Sequence, residues 1–202
     1  MTDRVIDGVS DRGIDQPRGN SAAYTLSTRP GVAATVSYVR DGDRYVIVDP
    51  GMAAHRDRVL GPLAELGLGP DDITDVVLSH HHPDNTLNVG LLGQAGVHDH
   101  KAEYRNDRWT DRDAEVHELT PSLRLIRAPG HSPEGITFLA GTADGVVAFA
   151  GDLWWRPAGP VDGPAAPDRD TLRCSRLRVP AGADVIIPGH SGPSPAGEGA
   201  PL

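Results

Sequence analysis

The stretch Ile73-Thr74-Asp75-Val76-Val77-Leu78-Ser79-His80-His81-His82-Pro83-Asp84 decides how the chain is read. Its first half is a β-branched apolar run of the kind found in buried strands, and it delivers the chain into a polar, histidine-rich cluster. The cluster therefore stands at the C-terminal end of a strand. His80, His82 and Asp84 alternate along the chain, so in an extended segment their side chains share one face and can converge on a cation. His81 points the opposite way and takes no metal role. Neutral imidazole and carboxylate suit zinc and similar transition metals, and three protein ligands plus an open position make a catalytic rather than a structural site.

Further ligands have to come from elsewhere in the chain, and the candidates lie in similar surroundings. Pro129-Gly130-His131, Gly151-Asp152 and Pro188-Gly189-His190 each follow an apolar run, and the glycine before each side chain lets backbones crowd round one ion. The runs at 35–39, 45–48, 123–126, 136–140, 146–150 and 185–187 read as strands. Asp41-Gly42-Asp43 and Ala143-Asp144-Gly145 supply hairpin turns. Apolar residues near helical spacing predict a helix over 55–68, with Gly61-Pro62 kinking or restarting it, and a later helix over 170–179. This order suggests a layered α/β domain over 23–193, with a flexible polar segment before it and a flexible Pro- and Gly-rich tail over 194–202.

Composition narrows the partners. A net charge of -9 over 202 residues opposes a phosphate backbone, so nucleic acid is a disfavoured partner. The single cysteine, Cys174, has no internal partner for a disulfide and reads as a buried or inert thiol, and no apolar run is long enough to span a membrane. The expectation is a soluble, cytoplasmic protein acting on a small molecule.

The ordered set His80-x-His82-x-Asp84, His131, Asp152 and His190 resembles the metallo-β-lactamase superfamily. The hairpin ending in Asp49-Pro50-Gly51 and the segments APGHSP, AGDLWW and IIPGHSGP extend that resemblance over about residues 32–193. It implies an α/β fold, a four-layer αββα sandwich with metal at one edge of two sheets. His80, His82 and His131 would hold a first metal, Asp84 and His190 would contribute to a second, and Asp152 would bridge. It also suggests that Asp49 orients a ligand from behind, although Asp49 could simply end its strand.

The chain departs from the family pattern at Asn85, where histidine usually follows the Asp84 position. An amide oxygen is a weaker zinc donor than imidazole, so the second site is weakened while the first stays complete. Three outcomes are open: a one-metal enzyme, a second site completed by water or a rearranged ligand, or loss of hydrolysis. The cofactor expected is zinc, one or two ions, with iron as the other option. The function implied is hydrolysis of a small ester, thioester or lactone by a metal-bound hydroxide, with Asp84 as the catalytic base and Trp154 and Trp155 as substrate-binding candidates. A phosphodiesterase or RNA nuclease is the alternative, because residues 129–193 resemble a group of the family linked to RNA processing. A non-hydrolytic redox, lyase or cyclase member is the third reading, motivated by Asn85. His98 and His100 have metal-like spacing but read as surface histidines beside the site.

Overall fold

Alternation along the apolar runs sorts their side chains onto two faces. Val46 and Val48 share one buried cluster with Val77, Leu125, Phe138, Phe149, Val185 and Ile187, whereas Ile47 between them packs with Tyr38, Val59, Leu63, Ile73 and Val76. Leu139, Ala148 and Ile186 likewise turn away from the first cluster to meet Trp154, Leu172 and Val179. Strands apolar on both faces need a layer on each side, and the fold supplies it.

The structure is a computed structural model describing residues 19, 21–27, 33–52, 56–112, 115–157, 159 and 166–197. Among these residues the strands form two mixed sheets. The first runs in chain order: β1 (Ala22–Ser27), β2 (Val36–Asp41), β3 (Arg44–Val48), β4 (Asp75–Val77), β5 (Gly96–His98), β6 (Ala102–Arg105) and β7 (Arg108–Asp111). The second holds β8 (Val116–Thr120), β9 (Leu123–Arg127), β10 (Ile136–Thr142), β11 (Gly145–Gly151), β12 (Val185–Pro188) and β13 (Ser194–Pro195), again with chain neighbours side by side. The pairs β3/β4, β4/β5 and β11/β12 are parallel. The outer layers are α1 (Asp57–Glu65), whose Val59 and Leu63 cover the first sheet, and α3 (Arg169–Ala181), whose Leu172 and Val179 cover the second. This is the αββα sandwich that the resemblance implies. No helix among the described residues is long and apolar enough to cross a membrane.

Local chemistry sets the helix ends. α1 runs through Pro62 without restarting and stops at Glu65, short of the expected 68. Gly67 takes a left-handed φ of 75°, and the Leu68 and Gly67 N–H groups donate back to the Leu63 and Ala64 carbonyls in a Schellman closure. The predicted start at His55 lies outside the described residues. α3 starts where the Asp168 carboxylate accepts from the Asp170 and Thr171 N–H groups. Ser194–Pro195, read as tail, pairs with β12 as an edge strand. The segments 1–18 and 198–202 lie outside the described residues.

The first sheet also carries a buried charge network. Asp75 is fully buried in β4 and accepts hydrogen bonds from Arg44 (3.0 and 3.1 Å), Arg105 (2.9 Å) and His98 Nε2 (2.9 Å). His98 is therefore a core residue and not the surface histidine expected from its neighbourhood. Burial alone would push the Asp75 carboxyl up, but the hydrogen bonds from His98, Thr74 and Arg44 outweigh it and hold the pKa at about 2. A depressed carboxyl pKa stabilises the fold above the unfolded value of about 3.9 and ceases to do so as pH falls toward about 2. The shift corresponds to about 2–3 kcal/mol. Asp75→Asn is accordingly expected to lose about 2–3 kcal/mol in denaturant titrations at neutral pH, with the gap to wild type closing as pH falls from about 4 toward about 2. A gap independent of pH would show that the charge network does not carry this stability.

Candidate metal centre

The first ligands leave the end of β4, where backbone geometry replaces the simple alternation expected from sequence. The chain turns a corner at Ser79 and His80, His82 is extended, and Pro83 then starts the one-turn helix α2 (Pro83–Thr86) with His82 at its N-cap. Proline at the first helical position fits that turn, because its fixed φ is pre-set for helix and no N–H is lost. The turn swings Asp84 away from the histidine pair and toward His190, with Asp84 Oδ2 3.5 Å from His190 Nε2.

Behind His80 stands a relay from the neighbouring strand. Asp49, at the end of β3, is buried and holds a left-handed φ of 49°, unusual for a residue other than glycine. Its carboxylate accepts from the Ser79 N–H (2.8 Å) and the Ser79 hydroxyl (2.6 Å). Since the hydroxyl proton is committed to Asp49, Ser79 Oγ accepts from His80 Nδ1 (3.0 Å), which leaves the Nε2 lone pair bare and aimed into the centre. Burial pushes the Asp49 carboxyl up to about 7 against these two hydrogen bonds. Asp49 thus both ends its strand and orients a ligand through Ser79, a residue that carries no signal of this role in the sequence.

The second sheet brings the remaining residues to the same edge. Gly151 adopts φ 52°, and a Cβ there would collide with Ser79 Oγ, so the two sheet ends can meet only through glycine. Asp152 follows it. At Gly189 a Cβ would overlap the Asp152 carboxylate. His190 is fixed by its own N–H to the Trp155 carbonyl (2.9 Å) and by Nδ1, which donates to the Ala33 carbonyl (3.2 Å), so its Nε2 faces Asp152 and Asp84.

The result is two adjoining groups of donor atoms. His82 Nδ1 lies 3.0 Å from both His80 Nε2 and His131 Nε2, and Asp152 Oδ2 is 3.4 Å from His131 Nε2 and 3.9 Å from His80 Nε2. Asp152 Oδ2 is also 3.3 Å from His190 Nε2, so this carboxylate belongs to a second group with Asp84 and His190. The donor set fits a metal. A tetrahedral zinc shell with Zn–N of about 2.0–2.1 Å spaces its nitrogens about 3.3–3.4 Å apart, close to the distances seen. Among the described residues Asp152 Oδ1 is buried without a hydrogen-bond partner, an unfavourable state that a nearby cation relieves.

Charge in the centre follows from burial and proximity. Burial lowers the His80 pKa to about 4 and also lowers that of His131, so both imidazoles are neutral and ready to ligate at physiological pH. Burial would raise Asp152, but the hydrogen bond and charge of His190 hold it below the usual carboxylate range. The Asp152 partnership raises His190 against its own burial.

The tryptophans divide. Trp154 is 2% exposed and packs in the α3 cluster under the Arg176 guanidinium, so it is a core residue and not a substrate contact. Trp155 is 38% exposed, its ring centroid 6.4 Å from that of His131 and 6.0 Å from that of His190, and it flanks the open side of the centre. A cavity of about 10 Å³ behind His80 and His131 holds at most one water, so a substrate must come from the open side. Cys174 is exposed on α3, so of the two alternatives read from sequence, a buried or an inert thiol, the buried one does not hold.

Comparison with known proteins agrees with this geometry. The profile of the Metallo-beta-lactamase superfamily matches residues 29–105. The chain is 32% identical over 192 residues to metallo-beta-lactamase domain-containing protein 1 of Homo sapiens, covering 89% of this chain and 70% of that one. Among solved structures it is similar to a metallo-beta-lactamase family protein of Thermus thermophilus, with TM-score 0.66, 21% identity and coverage of 86% and 75% of the two chains. It is also similar to a quorum-quenching N-acyl homoserine lactone lactonase, with TM-score 0.58, 19% identity and coverage of 72% and 73%. With the fold, the donor set and a relative matched along most of both chains, the protein belongs to the metallo-beta-lactamase superfamily.

Proposed function

We propose that the protein is a metal-dependent hydrolase of a small ester, thioester or lactone. The observation that carries this reading is the convergence of His80, His82 and His131 nitrogens on the Asp152 carboxylate beside an open face. The imidazole-rich, thiolate-free donors favour zinc, with iron as the other option. A divalent metal held by these residues supplies Lewis acidity and a water nucleophile near neutral pH. Asp84, partly exposed at the rim and 3.5 Å from His190, is placed to orient an attacking water and take its proton. The Trp155 ring offers an apolar wall for the acyl part of a substrate. A lactone substrate is consistent with the fold shared with the N-acyl homoserine lactone lactonase. The net charge of -9 weighs against nucleic acid.

The test is a panel of chromogenic esters, thioesters, lactones, β-lactams and phosphodiesters, assayed before and after chelation and after metal is restored. The expected result is turnover of at least one of the first three, lost on chelation and recovered with zinc or iron. Turnover confined to phosphodiesters, or sub-micromolar duplex RNA binding at physiological salt, would replace this reading with a nuclease. No turnover by metal-replete protein would remove the hydrolase reading.

A further inference from the structure

We propose that His81, Asp99 and His100 form a second, independent site for a divalent transition-metal ion, behind the loop that carries His80 and His82. The corner that aims His80 and His82 into the first centre sends His81 the other way, toward the turn joining β5 to β6. There His81 Nε2 lies 3.2 Å from Asp99 Oδ2, and the His81 and His100 rings are 5.7 Å apart. One donor atom from each of the three residues falls within 4.8 Å of the other two. Alternation along the chain denies His81 a role in the first centre because it lies on the wrong face for it. That face has ligands of its own.

The site is set before any ion arrives. Asp99 is buried, and its Oδ1 accepts from the Lys101 and Ala102 N–H groups at 2.8 and 2.9 Å while Oδ2 accepts from the Tyr104 hydroxyl at 2.9 Å. A carboxylate oxygen has two acceptor positions; at Oδ2 the Tyr104 hydroxyl takes one and fixes its direction from behind, and His81 Nε2 faces the other at 3.2 Å, where a cation shared by the two residues would replace the His81 proton. His100 Nδ1 is buried and has no hydrogen-bond partner among the described residues, an unfavourable state for a ring nitrogen that a cation bound through Nδ1 would relieve. His81 is half exposed, which leaves the ion an entry path and room for waters. Glu134 lies near enough to His81 and His100 to add negative charge, and Arg127 opposes it at His100. Two imidazoles and one carboxylate select zinc, copper(II) or nickel over the oxygen-seeking magnesium and calcium. An ion there would pin His81, and with it the backbone of His80 and His82, to the β5–β6 turn.

The experiment is a zinc titration of the full chain by calorimetry, with bound metal counted by elemental analysis, in wild type, His100→Ala and His131→Ala. Wild type is expected to take up one zinc more than His100→Ala, or to bind its weakest zinc at least about tenfold more tightly. His131→Ala, which disrupts the first centre, is expected to keep the His100-dependent uptake. Indistinguishable titrations of wild type and His100→Ala would overturn the proposal. Should His100→Ala fail to fold, crystals of wild type grown with zinc decide the matter. An anomalous peak between His81, Asp99 and His100 is expected, and no peak there with the first centre filled would overturn it.

Discussion

Asp152→Asn is expected to strip the first centre of its metal, with a loss of affinity beyond the roughly 10- to 100-fold that follows removal of an outer partner of a metal ligand. Asp152 Oδ2 lies within 3.9 Å of a ring nitrogen of His80, His131 and His190, so one substitution removes negative charge from both donor groups at once. The amide keeps the shape of the side chain, which separates charge from packing. Elemental analysis after dialysis reads the first effect directly. A second readout distinguishes charge loss from general disruption. The His190 pKa is raised by its bond to Asp152 against the downward pull of burial, so in metal-free Asp152→Asn its imidazole should titrate at lower pH. Retention of metal at wild-type levels together with an unmoved His190 titration would mean that Asp152 is not the hub of the centre.

Residues that decide this chemistry differ in how far they announce themselves in sequence. The Gly151-Asp152 and Gly189-His190 pairs are legible because each ends an apolar run that is buried on both faces, and such runs need no alternation to be recognised, whereas Gly130-His131 follows β9, whose Leu123, Leu125 and Ile126 are buried while Arg124 and Arg127 are partly exposed. β6, β7, β8 and β13 are not legible in the same way. Their sequences AEYR, RWTD, VHELT and SP carry little apolar character, β7 is exposed throughout, and pairing with neighbours rather than intrinsic pattern makes them strands. The Asp49–Ser79 relay is hidden for another reason. It joins residues 30 positions apart through the parallel pairing of β3 and β4 and a left-handed turn at Asp49, neither of which has a local signal. Trp154 and Trp155 show the limit most sharply: they are adjacent and chemically identical, yet contact with Arg176 on α3 commits the first to the core while the second stays at the rim. His98 is misread for the same reason, since its partner Asp75 lies on the neighbouring strand 23 residues away.

In a His100→Ala background, which removes any ion held by His81, Asp99 and His100, Asn85→His is expected to raise the metal content from about one toward about two per chain, as the preference of zinc for nitrogen donors implies. The other donors of the second group, Asp84, Asp152 and His190, are already gathered with one atom each inside 4.8 Å. What the chain lacks is a strong ligand at position 85, where the buried carboxamide directs Nδ2 toward His80 Nε2 at 3.4 Å and leaves Oδ1 without a partner. An amide in that orientation presents a donor where a metal needs an acceptor. Rotating it would offer only a neutral oxygen. Imidazole is larger than carboxamide, and Asn85 has no solvent exposure, so the variant should also lose about 1–3 kcal/mol from overpacking. Asn85→Asp controls for that loss, because it adds a charged donor at nearly constant volume and should raise the count without the packing cost. The two variants separate donor strength from steric fit. A higher count in both is the pattern expected if position 85 sets the occupancy of the second group. In that His100→Ala background, two metals held tightly with Asn85 in place, or one metal whichever residue stands at position 85, would show that occupancy is set elsewhere. The rate is a separate readout whose sign depends on Asp84. If the native chemistry needs two metals, turnover rises with the count; if Asp84 works as a free base, a second ion that captures its carboxylate lowers turnover while the count goes up.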